Sequence, residues 1–261
     1  MIALFSSELK KFRTIWSTWL LLGITALLVG AFTTLVAFVP RGHGPRASLL
    51  PVRGTALWFD STFSIMRLSL DLALVLGILC ITGEYRHKTI TPTYLAEPKR
   101  GRVVVSKLLA SILGGAAVGV VGGAVALVFG FSVVGAGFGN VQTMLTEYRH
   151  IFPGVLAAAV LYAVYGVGLG ALLKNQVVAI VVGLGVTAIV EPIIDGVWPS
   201  VGQWLPGQAA QALESVTANV KAFGASNGQL IAWWQGGLAL LGYGIVLAGA
   251  GAFTTLRSDV T

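Results

Sequence analysis

Apolar residues in this chain come in long unbroken runs, with none of the alternation of a half-buried strand. A helix needs about 20 apolar residues to cross a bilayer. Six stretches reach roughly that length: Trp16–Val39, Thr62–Gly83, Ser106–Val134, Phe152–Leu173, Val177–Ile194 and Ile231–Leu256. Only Lys174, Asn175 and Gln176 separate the fourth from the fifth, which predicts a tight turn between antiparallel helices. Ahead of the first run, Ile2, Phe5, Leu9, Phe12 and Trp16 recur at spacings of three and four, with Ser7, Lys11 and Thr14 opposite. That pattern predicts an amphipathic helix over residues 2–15 lying in the membrane interface, its lysines toward anionic headgroups. The expected fold is an all-α integral membrane protein: one membrane domain over residues 1–261, with six transmembrane helices behind an N-terminal interfacial helix. The first run exceeds the roughly 7–15 residues of a signal-peptide core, so it is read as a retained span.

Composition strengthens this reading. The chain is 56% hydrophobic and 10% charged, against about 25% charged in soluble domains. The net charge of +7 does not indicate nucleic acid, because the basic residues sit at the ends of apolar runs. With the N-terminus in the cytoplasm, that side holds Lys10, Lys11, Arg13, Arg86, Lys88, Lys99, Arg100, Arg102, Lys107, Lys174 and Arg257. The outer side holds Arg41, Arg46, Arg53, Arg149 and Lys221, a balance of eleven to five that the positive-inside rule favours. Both termini are then cytoplasmic, in a multi-pass protein of the cell membrane. Residues 195–230 form the longest outer segment, in which Trp198 and Trp204 suit the interface. The single cysteine, Cys80, allows no intrachain disulfide.

Chemistry-bearing residues are sparse. There is no phosphate-binding G-x-x-x-x-G-K-[ST] loop and no H-E-x-x-H motif, and His43, His87 and His150 all fall outside the runs. No catalytic residue, metal ligand or cofactor site is expected in this chain, which is not read as an enzyme. Arg67 and Asp71 are four apart in the second run and share a helical face, as a pathway element or a structural ion pair. Glu191 and Pro192 mark a helix break, because proline cannot donate the backbone hydrogen bond. Gly115, Gly119 and Gly123, and Gly166 and Gly170, make small-residue faces for close packing, within one bundle or between two copies.

One dense polar strip interrupts the apolar chain: TGEYRHKTITPTYLAEPKRGRVVVSKLL, Thr82–Leu109. Thr91 and Pro92 read as an N-cap and first helical position, and Glu97 precedes the closing Pro98. A short helix with Tyr94 and Leu95 as its apolar contact, held between two spans, is a shape for docking another protein.

The strip resembles the first cytoplasmic loop of the ABC-2 type permeases, membrane subunits of ABC exporters, in an actinobacterial-like branch. WLPGQAAQAL, Trp204–Leu213, is similar to that branch's sequence before the last span. The resemblance implies a permease subunit of an ATP-driven exporter, pairing with a second permease as a homodimer or heterodimer. It implies a cytoplasmic ABC ATPase as partner, which would bind the ATP and Mg. Residues 84–104 would form the coupling loop, with Glu84, Tyr85, Arg86, Thr89, Thr93, Tyr94, Leu95 and Glu97 at or near the ATPase. The N-terminal helix would lie beside it, and Glu191–Pro192 would match an interrupted outer end of the fifth span. Membrane lipid is the other expected partner. The alternative is a stand-alone ion-coupled carrier, or a structural or regulatory membrane subunit, in which Arg67, Asp71 or Glu191 is critical.

Overall fold

The computed structural model describes residues 2–38, 64–89, 95, 100–135, 142, 151–214 and 230–257. Nearly all of these are helical and none is in a strand. The helices are α1 (Ile2–Thr14), α2 (Trp16–Phe38), α3 (Leu68–Arg86, led by a 3-10 turn Ser64–Arg67), α4 (Arg100–Gly135) and α5 (Ile151–Leu173). They continue as α6 (Gln176–Gly185), a π turn Val186–Val190, α7 (Glu191–Val197), α8 (Pro199–Gly202), α9 (Pro206–Glu214) and α10 (Trp233–Arg257).

Five helices among the described residues are long and apolar enough to cross a membrane: Trp16–Val36, Ser64–Arg86, Gly101–Phe129, Ile151–Leu173 and Gln176–Val197. The chain is therefore a multi-pass membrane protein. Helix α10, with 25 residues, is the counterpart of the sixth expected run. Helix α4 starts at Arg100 rather than near Ser106, so Arg100 and Arg102 lie within its first turn. Its 36 residues span about 54 Å at 1.5 Å per residue.

Helix α5 is the hub, packing against α10, α3, α4 and α9. Its span is 72% buried, against 17% for the α6–α7 span. The core joins Leu70, Leu74 and Ile78 of α3, Val118 of α4, Ala158, Ala159, Tyr162 and Ala163 of α5, and Leu240 of α10. Close approach here needs glycine. A Cβ on Gly77 would run into the Ala163 backbone, and one on Gly166 into the carbonyl of Leu74, so α3 and α5 touch backbone to backbone. Gly115 and Gly119 of α4 lie against Ala159 of α5. The glycine faces of α4 and α5 are thus filled within one chain.

The corners are specific. The Trp19 indole donates to the Arg13 carbonyl at 3.0 Å, fixing the α1–α2 elbow. Helix α3 ends with the Thr89 N–H on the Glu84 carbonyl and the Lys88 N–H on that of Tyr85, a Schellman pattern. Lys88 takes the left-handed position, φ 55°, where glycine is usual. Between α5 and α6, Lys174 turns at φ 54°. Asn175 caps α6, its side chain accepting from Val177 and Val178 N–H at 3.0 and 3.2 Å. The turn expected at Lys174–Gln176 is there.

Candidate functional site: two polar clusters at the ends of α3

Helix α3 carries charge at both ends. Near its end lies Glu84, and at its beginning lie Arg67 and Asp71. Seventeen residues, about 25 Å of helix, separate Glu84 from Arg67.

The first cluster is a four-charge joint. Lys107 is buried two turns inside α4, with 1% of its side chain exposed. Its Nζ meets Glu84 Oε1 at 2.8 Å and Glu8 Oε2 at 3.2 Å, and donates to the Cys80 carbonyl at 3.1 Å. Lys11 Nζ reaches Glu8 Oε1 at 2.7 Å and the same Glu84 Oε1 at 2.6 Å. Two carboxylates and two ammonium groups cancel, which is what permits their burial. Burial pulls the Lys11 ammonium toward neutrality. Hydrogen bonds and charge from Glu8 and Glu84 outweigh that, and its pKa stands above the ordinary 10.5.

The joint gives Lys11 partners that the sequence did not show: it pairs with Glu8 and Glu84, and shares the Glu84 carboxylate with Lys107. Leu9 and Trp16 of the expected apolar face are exposed. Glu84 is buried, so it is no free surface carboxylate. Of the other expected contact residues, Tyr85 is half-buried, and Arg86, Thr89 and Leu95 are exposed. Arg86 donates to the Gln176 side chain at 3.3 Å. Thr93, Tyr94 and Glu97 lie outside the described residues.

The second cluster gathers acids around Arg67. Glu191 is 2% exposed, and its Oε2 accepts the Gly207 N–H at 2.6 Å. That N–H belongs to the first turn of α9, where the helix dipole favours a carboxylate. A Cβ on Gly207 would meet both Glu191 Oε2 and Arg67 Nη2, so the glycine lets the two side chains close over the start of α9. The Arg67 charge acts on Asp71, Glu191 and Glu214 alike. Arg67 and Asp71, four apart in sequence, share one electrostatic neighbourhood with Glu191 and Glu214. Glu214, at the end of α9, is pushed up to about 7 by burial, with Arg67 opposing. Asp195 is buried apart from the group, beside Gly202.

Helical geometry changes to π just before Glu191 and Pro192, then continues to Val197. Proline removes one backbone bond, and the wider turn is how the helix accommodates it without stopping. Sequence reasoning missed Glu8, Lys107, Gly207 and Glu214. The one available signal was Glu8, an acid three residues before Lys11 in a basic segment.

The fold and these clusters define a multi-pass membrane protein, helical nearly throughout its described residues, with a cluster of charged side chains at each end of one central helix. No protein-family model matches the chain, and no curated protein matches it.

Proposed function

We propose that the chain is the membrane-spanning permease subunit of an ATP-driven exporter of the ABC-2 type. It works as one of two permease subunits, and a separate cytoplasmic ATPase docks on α1 and the polar strip. In this reading α10 is the sixth span, α1 lies in the interface, and both termini are cytoplasmic. The observation that carries it is the Glu8–Lys11–Glu84–Lys107 joint. It fastens α1 to both ends of the strip, so α1, the end of α3 and the start of α4 move as one body.

A partner that binds and hydrolyses ATP closes on nucleotide. That motion is applied to the strip, and the joint passes it to α3 and α4, whose close packing on α5 carries it into the bundle. The equilibrium between inward and outward states shifts by the nucleotide's preference for one of them. No covalent step is assigned to this chain. The test is Tyr94→Ala beside Glu84→Lys, with ATPase binding and nucleotide-driven transport measured in membranes. Both variants are expected to remain in the membrane and lose coupling. Unchanged binding and transport in both would refute the dock.

A stand-alone ion-coupled carrier is the second reading, favoured by the buried acids around Arg67. It predicts proton- or sodium-dependent flux by the pure chain without nucleotide, lost in Glu191→Gln.

A further inference from the structure

Beside the ion joint, between the α1–α2 elbow and the end of α3, lies a half-open cavity of about 800 Å³. That is within the roughly 300–1,000 Å³ of small-molecule sites. Its deep wall is apolar, with Phe12, Leu21, Leu76 and Leu79, and its rim carries Lys11, Arg86 and His87. Leu76 and Arg86 of the lining lie ten residues apart on α3, about 15 Å along the helix. Glu8 and Glu84 also border the cavity, but Lys11 and Lys107 already neutralise them. The surplus charge is the exposed Arg86, with exposed His87 and Lys88 next to it. The cavity is therefore greasy at depth and cationic at the mouth. It sits where a span emerges from the membrane, the setting in which basic pockets hold phospholipid heads.

We propose that this cavity binds one phospholipid of the adjacent leaflet. An acyl chain lies along Leu21, Leu76 and Leu79, and the phosphate meets Arg86. The bound lipid fills the space between the elbow and α3 and so braces α1 against the bundle. The inference rests on the membrane reading alone. Its failure would leave the ATPase dock standing, and the dock's failure would leave the lipid site standing.

The test is native mass spectrometry of the purified full chain, stripped in detergent and reloaded with phosphatidylglycerol. Diacylglycerol, which lacks the phosphate, and inorganic phosphate alone serve as comparisons. One phosphatidylglycerol per chain is expected. Retention should fall roughly tenfold or more for diacylglycerol and for Arg86→Gln, the scale of a lost charged hydrogen bond. Leu79→Trp fills the slot and should abolish retention. Ser17→Trp, at the elbow wall, gives the same reading if Leu79→Trp fails to fold by circular dichroism. Several results would overturn the proposal: no bound lipid, equal retention of diacylglycerol, phosphate binding that ignores the slot-filling variants, or unchanged retention in a folded slot-filling variant.

Discussion

Lys107 shows how one buried charge organises its surroundings. An ammonium group with 1% side-chain exposure is tolerable only beside anions, and Glu8 and Glu84 come from two other helices to supply them. Removing one partner of a buried ion pair costs about 3–5 kcal/mol. Lys107→Met should therefore destabilise strongly in thermal unfolding. Adding Glu8→Gln should recover part of the loss by removing the stranded carboxylate, and additive effects would mean that the two residues do not interact. Lys11 contributes at the alkaline end. Its pKa is raised, so its contribution is complete below 10.5 and is lost as pH rises through the higher folded value. Glu214 acts in the same direction at lower pH. Its folded pKa of about 7 exceeds the ordinary 4.5. The folded state binds the extra proton between those values, so stability falls as pH rises from 4.5 to 7. Glu214→Gln should flatten that fall in a stability–pH profile.

At the scale of helices, the α3–α5 contact is the tightest constraint. Gly77→Val would drive a branched side chain into the Ala163 backbone, which has nowhere to retreat. Overpacking of this kind costs about 1–3 kcal/mol or more, and a matching drop in unfolding temperature is expected. Gly23, with nothing within 4 Å of an added Cβ, should accept alanine without loss. The spans were legible because a bilayer imposes a length on an apolar run, and the α5–α6 turn because three polar residues leave no room for anything else. The partners of Lys11 were not legible. A lysine flanking an apolar run looks the same in sequence whether it meets a headgroup or a carboxylate. Glu8 and Lys107 are 99 positions apart, and no local periodicity links them. The Glu191–Gly207 contact was hidden for the same reason, although the disturbance at Pro192 was visible in the letters.

Seen whole, the molecule is a bundle around α5 with α3 as a rod joining two ionic groups. Exposed tryptophans sit at both ends: Trp16 and Trp19 beside the joint, and Trp198, Trp204, Trp233 and Trp234 beside the acid cluster. Such aromatic belts mark the two membrane interfaces. Between them α2 and α6 present Leu27, Leu35, Val177 and Val181 outward, to lipid or to a second subunit. The proposed dock places a cytoplasmic ATPase at the joint end. Gentle affinity purification of the tagged chain from its own membranes, with mass spectrometry of what co-elutes, tests it most directly. A stoichiometric P-loop ATPase is predicted, lost when Glu84→Lys breaks the joint. Elution of the chain alone, under conditions that keep a known transporter complex together, would contradict it.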